Sequence, residues 1–176
     1  MRLISLAARR AANEGTTDKI ELLLIQIEHP ALAAPLRFST DPTERLSADP
    51  IVYCTRSTWL GANPMTEPFK FVLAAAALPS DEEDVPAAAS IVIWDLSGTI
   101  GTLLRSFTHP RATVHLALVL ASSPSVIEEE HRGLQLVERD IAAGEVRLEI
   151  ARKRIEEERY PMLSFSKGLA PGVHRR

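Results

Sequence analysis

Apolar residues in this chain fall at every second position more often than at helical spacing, which predicts strands with only short helices between them. Leu3, Leu6, Ala7 and Arg10 are the first exception, and their spacing predicts an amphipathic helix over 3–12 stopped by Gly15. In the following KIELLLIQI, Ile20, Leu22 and Leu24 alternate with Leu23, Ile25 and Ile27. Both faces are apolar, as in a strand covered on both sides. Pro30, Pro35, Pro42 and Pro50 come next. Each removes a backbone donor and turns the preceding residue away from helix, so loops and short strands are expected, including Leu36 to Thr40 and Ile51 to Thr55.

Phe69 to Ala77 is extended by its Phe-Lys-Phe-Val opening, although its four alanines are indifferent strand formers. The β-branched ASIVIWDL is a further strand, and Ser97 is the expected cap of a short helix ending near Phe107. ATVHLALVL places Val114, Leu116, Leu118 and Leu120 on one face at period two, with His115 on the other. From Glu128 to Tyr160 two periods are satisfied together. Leu134, Ile141, Leu148 and Ile155 lie seven apart, as in a helix, whereas Val146, Leu148 and Ile150 alternate with Glu145, Arg147 and Glu149, as in a strand. Gly144 favours a hairpin over Leu134 to Ala151, because glycine weakens a helix interior by about 1 kcal/mol and suits a tight turn. The helix is the alternative.

Composition narrows the class. The chain has 176 residues, 45% hydrophobic and 24% charged, which fits one folded domain over 1–176 with a Pro- and Gly-bearing C-terminal arm at 161–176. The net charge of -3 supplies no general attraction to nucleic acid, so direct nucleic-acid recognition is not expected. The longest apolar stretches, Ile20 to Ile27 and Phe71 to Leu78, are too short to span a membrane. Arg9 and Arg10 interrupt the apolar start, so a cleaved leader is not expected. Cys54 is the single cysteine, which excludes an internal disulfide and a cysteine-rich zinc site.

No residue set at sequence level carries a recognisable chemistry. His29, His109, His115, His131 and His174 are scattered, without the spacing of a helical metal pair, and His115 reads as a polar residue on a half-exposed strand face. SGTIG near Gly98 and Gly101 lacks the spacing and lysine of a phosphate loop. Ser123 to Ser125 lacks the glycines of a nucleophile elbow, and Cys54 reads as a small buried strand residue. The carboxylates of Asp81 to Asp84, Glu128 to Glu130 and Glu156 to Glu158 lack calcium-loop spacing and read as solvated faces. Trp59 and Trp94 read as core anchors. The expectation is no catalytic residue, no metal and no cofactor.

Taken in order, several strings resemble a tailed-bacteriophage family known as domain of unknown function 1833. They are IELLLIQIEHPAL, PLRFSTDP, FKFVLAAAALP, the acidic proline-flanked loop, SIVIWDLSG, the short helix, TVHLALVLASSPSVIE, the 134–151 hairpin and YPMLSFSKGLAPGV. Ala74 to Ala77 and the charged Arg152 to Arg159 depart from the family pattern. The resemblance implies a mainly β (α+β) fold, a barrel or sandwich like that of tail-tube and distal-tail proteins, with one or two short helices and extended terminal arms. It further implies a non-enzymatic virion component assembled in the host bacterial cytoplasm, a ring of six copies by analogy, joining the tail tube to the hub near the tape measure. A terminator ring at the head-proximal end is the alternative within that class. Outside it stands a small β-barrel enzyme or ligand-binding domain using His115 with an acidic residue. Leu3, Leu6, Phe165 and Leu169 are the expected subunit-interface residues, since both ends of the chain are too short and interrupted to bury them in a core of their own.

Overall fold

The computed structural model describes residues 4–14, 17–78, 88–95, 97–107, 109–142 and 144–152. Ten strands form one sheet, so the chain is mainly β, as expected. The order along the chain is α1 (Leu6–Asn13), β1 (Glu21–Glu28), β2 (Leu36–Ser39), β3 (Glu44–Ala48), β4 (Ile51–Thr55), β5 (Phe69–Phe71), β6 (Leu73–Ala77), β7 (Ala88–Trp94), α2 (Thr99–Arg105), β8 (Thr113–Leu120), β9 (Ser123–Ala142) and β10 (Glu145–Ala151), with a single 3-10 turn at Trp59–Gly61.

Across the sheet the order is β3-β4-β5-β2-β1-β8-β9-β10-β7-β6. Every pairing is antiparallel except β2 with β5, where Phe38 faces Lys70 and Ser39 faces Phe71. The third and tenth strands of this order, β5 and β6, are separated in the chain only by Val72, whose N–H donates to the Ser39 carbonyl. A flat sheet would hold them seven strand spacings apart, at about 4.8 Å each. The sheet therefore curls until both of its sides reach the segment Phe69 to Ala77.

The larger core lies where successive strands turn one face to a common interior. Leu23, Ile25 and Ile27 of β1 meet Val114 and Leu116 of β8, Leu134 and Leu136 of β9, Val146, Leu148 and Ile150 of β10, and Ile91 and Ile93 of β7. Side chains alternate across a strand, so Leu22 and Leu24 point the other way, into a smaller cluster with Trp59, Phe69, Ala117 and Val119. Strand β1 is thus covered on both faces, as its unbroken apolar run predicts. Each fully buried Leu or Ile contributes about 1.5–3 kcal/mol from removal of apolar surface.

Strand β8 departs from its expected single apolar face. Its pairing with β9 shifts register between Val114 and Leu116 and on both sides of Val119. The alternation of β8 itself is unbroken against β1, so Leu116 serves the larger core while Ala117 and Val119 serve the smaller, and Leu118 is half-buried. The extra residues of these shifts lie on β9, where such bulges bend the strand. Trp94 is also corrected. Ala89, Ile91 and Ile93 take the inward positions of β7, which leaves Trp94 outward and 42% exposed, whereas Trp59 is buried at 3%.

The expected hairpin holds for Leu134 to Ala151. Ala142 pairs with Glu145, and Gly144 closes the turn at a φ of +82°, a conformation that costs little only for glycine. The first strand of this hairpin starts earlier than predicted, at Ser123. Strand β3, within the proline-rich stretch, was not foreseen, because ERLSA has no apolar alternation to announce it. Helix α2 lays Ile100 and Leu104 on the larger core, and Phe107 just beyond its end joins them. Its expected cap at Ser97 is corrected in part. The helical N-cap is Gly98 at φ +68°, and Ser97 Oγ accepts only from Thr99 N–H. The buried carboxylate of Asp95 reaches over the turn to accept from Gly101 N–H at 2.8 Å and from Ser97 Oγ at 2.8 Å. At the other end, Arg139 donates to the Leu104 and Phe107 carbonyls. The expected C-terminal arm, 161–176, lies outside the described residues.

Candidate functional site

Polar side chains on the face of β8, β1 and β2 opposite the larger core form one continuous chain. Gln26 lies between His115 on β8 and Arg37 on β2 in the strand registers. Its Nε2 donates to Glu28 Oε1 at 2.7 Å and its Oε1 accepts from Arg37 Nε at 3.0 Å. Arg37 reaches Glu67 at 3.2 Å, and the other Glu67 oxygen accepts from Asn63 N–H. That backbone bond and the Arg37 charge hold the Glu67 carboxyl below the usual carboxylate range. The network stitches three strands to the 63–67 turn.

His115, the residue of the enzyme alternative, ends this chain. Its Nδ1 accepts from Gly133 N–H at 3.2 Å, so the neutral ring carries its proton on Nε2, which lies 3.9 Å from Glu28 Oε2. Burial pushes the imidazole below its ordinary pKa, against the pull of Glu28, with Arg132 adding to the depression. A histidine and a carboxylate do come together here. On neighbouring strands Ser39 and Thr55 share a hydrogen bond of 2.6 Å, and Cys54 is fully buried, its thiol pushed up by burial and by Glu44. The arrangement joins strands.

His29, Ser57 and Ser125 are likewise spent on structure. His29 accepts from Ala31 N–H through Nδ1 at 3.0 Å and donates to the Pro110 carbonyl through Nε2 at 2.9 Å, while its ring stacks on Phe107 at 4.3 Å. The open cleft beside it, about 600 Å³, is walled by Glu28, His29, Arg111 and Thr113 together with alanine, proline and Leu32. Ser57 Oγ donates to the Pro124 carbonyl, and Ser125 Oγ accepts from Thr58 N–H; Pro124 and Ser125 thereby secure the turn that carries Trp59. His131 pairs with Glu129 at 3.1 Å, and His109 is exposed. His174, Asp81 to Asp84 and Glu156 to Glu158 lie outside the described residues. No group of three or more His, Cys, Asp or Glu side chains among the described residues is placed to hold a metal ion.

Glu128 to Glu130 are corrected from the solvated face that their sequence suggests. Glu128 is 5% exposed; its Oε2 accepts from Ser5 N–H at 2.6 Å, and its Oε1 is buried without a hydrogen-bond partner. Glu130 Oε1 accepts from the Trp59 indole at 2.7 Å. Burial raises the Glu130 pKa, but the Trp59 and Arg132 hydrogen bonds outweigh it and hold the group ionised. The indole of Trp59 thus finds its polar partner on β9, as a buried tryptophan requires.

What the fold leaves unspent lies at its margins. Helix α1 buries none of its residues, and Leu6 is 65% exposed. Of the expected interface residues, Leu3, Phe165 and Leu169 lie outside the described residues. Among the described residues the two ends of the strand order, β3 and β6, each pair on one side only. Beside them are Leu46 at 39% and Ile51 at 64% exposure, and Leu73 at 59% with Trp94. Sequence reasoning passed over these margins: exposure of an edge depends on pairing partners far away in the chain, and periodicity is silent about them. No family model matches the chain, and no curated protein matches it.

Proposed function

We propose that this protein is a non-enzymatic structural component of a bacteriophage tail, a ring-forming adaptor at the tail tip that joins the tail tube to the hub. The observation that carries the reading is the division of labour among the side chains. Buried and half-buried polar groups hold strands and turns to one another, while unsatisfied capacity for contact sits at two sheet edges and on α1. A ring subunit needs this distribution, because each copy must offer two different surfaces to its neighbours. The curled sheet supports the barrel form of the fold implied by the sequence resemblance, and α2 packed on its core supplies one of the short helices of that form. Net charge of -3 is small enough for identical copies to approach at physiological salt, where the Debye length is about 8 Å.

In this reading the working location is the virion tail, and the partners are further copies of the chain, the tail tube and the hub. Mass spectrometry of purified virions tests it. The protein should be present in a few copies per particle, in a fixed ratio to the other tail components. Its absence from infectious particles would end the proposal.

A further inference from the structure

Midway along its 20 residues strand β9 carries a joint. Val114 of β8 faces Leu134 and Leu116 faces His131, so His115 alone stands opposite both Arg132 and Gly133. This two-against-one arrangement is a β-bulge, with Gly133 at a φ of +69°, and a bulge takes its extra residue out of the ladder. The His115 ring makes good part of that loss, since its Nδ1 accepts from the Gly133 N–H at 3.2 Å.

The joint divides β9 into two parts with different attachments. After it, Gln135 to Ala142 pair with β10. Before it, Ser123 to His131 pair with β8 and hold segments from elsewhere in the chain. Pro124 and Ser125 fasten Ser57 and Thr58, Glu128 accepts from the Ser5 N–H at the start of α1, and Glu130 accepts from the Trp59 indole.

We infer that His115 is a pH-sensitive clasp on this joint: the neutral ring holds Gly133, and the protonated ring releases it and turns its charge to Glu28, freeing the first part of β9 to shift against the second. A neutral imidazole with its proton on Nε2 offers a lone pair at Nδ1, whereas an imidazolium carries protons on both nitrogens and accepts nothing. Protonation therefore sets two N–H groups against each other where one hydrogen bond stood. On the other side of the ring, Glu28 Oε2 lies 3.9 Å from Nε2. That is too far for a hydrogen bond to the neutral ring and near enough to attract the cation.

The surroundings of the ring set when the clasp opens. Burial opposes the cation most, the side chain being 13% exposed, and Arg132 of β9, itself ion-paired to Glu130, adds to that opposition. Glu28 from β1 and Glu130 from β9 pull the other way. Gln26, opposite His115 on β1, is uncharged and connects to Arg37 of β2. Burial prevails and holds the imidazole below its ordinary pKa, so the clasp is closed at neutral pH. Its contribution to stability is complete above the ordinary histidine value and is lost as pH falls through the folded one.

Nuclear magnetic resonance on the full-length protein, titrated from about pH 8 downward until it unfolds, reads the clasp directly. The His115 ring should titrate below the ordinary histidine value, and the Gly133 amide signal should move with the same midpoint. Trp59 emission, followed in a Trp94→Phe background, should share that midpoint. His115→Asn puts a carboxamide oxygen near the place of Nδ1 but takes up no proton; it should melt close to the unmodified protein at the start of the titration and lose both responses. Glu28→Gln should lower the His115 midpoint further. A Gly133 amide that ignores the titration of the ring, or a ring that stays neutral until the protein unfolds, would overturn the inference. The same responses persisting in His115→Asn would overturn it as well. Trp59 emission unchanged through the His115 midpoint would also do so, because the joint would then transmit nothing to the first part of β9.

Discussion

Substituting Asp95 should unfasten α2 from the sheet. Its carboxylate accepts from Gly101 N–H and Ser97 Oγ, and it is 5% exposed. Burial alone would raise its pKa; the N–H groups of Gly101, Ile100 and Gly98 and the Ser97 hydroxyl together outweigh burial and hold it below the ordinary aspartate value. Loss of an ordinary helix cap costs about 0.5–2 kcal/mol. Here Asp95→Ala also strands a buried donor on Gly101, which costs about 1–3 kcal/mol more, so about 2–4 kcal/mol is expected. Asp95→Asn keeps an acceptor but loses the charge, and should cost about 1 kcal/mol at pH 7.

The pH dependence separates charge from shape. A carboxyl whose folded pKa is depressed stabilises the protein fully above its unfolded value and loses that contribution as pH falls through the folded value. Urea unfolding of the unmodified protein and Asp95→Asn from pH 7 downward should therefore show a gap that is constant at neutral pH and narrows below about pH 4. A gap that does not change with pH, or an Asp95→Ala variant within about 0.5 kcal/mol of the unmodified protein, would refute the capping argument.

Gly144→Ala should destabilise by about 1–2 kcal/mol, because alanine must adopt the left-handed turn conformation; stabilisation in urea unfolding would contradict the hairpin. Gly101→Ala should be destabilising despite a gain in helix propensity of about 1 kcal/mol, since the new Cβ would lie 2.9 Å from Ile141 Cγ2. In an Ile141→Ala background the same change should become favourable, and additive effects in that double-mutant cycle would show that the contact does not matter. Trp59→Ala should cost about 3–5 kcal/mol and Trp94→Ala less than about 1 kcal/mol in the isolated chain; equal costs would contradict the placement of the two indoles.

The parts of the fold legible in the sequence are those governed by neighbours in the chain. Strand β1 announced its two covered faces by an unbroken apolar run, and Gly144 announced a turn because no other residue takes that backbone shape cheaply. The misreadings share another cause. Trp94 is apolar and sits in an apolar strand, so composition marks it for the core, yet strand parity sends it outward. Asp95 caps α2 from four residues before the first helical residue, too far for a cap pattern to find. Glu128 sits in an acidic run but is buried where β9 meets the start of α1, a contact across 123 residues of chain. Strand β3 and the free edges follow from pairing order alone. The pairing of His115 with Glu28 was open in the sequence and became specific only when the β1–β8 register set His115 opposite Gln26, two residues from Glu28 on the same face of β1.

Immunogold labelling of intact virions with an antibody raised against this protein tests the central claim most directly, because it reads membership in the particle and position along it together. The account predicts gold at the tail tip, distal to the tube. Gold at the head-proximal end would move the ring to the terminator position, and unlabelled tails in particles opened to expose buried components would contradict the account.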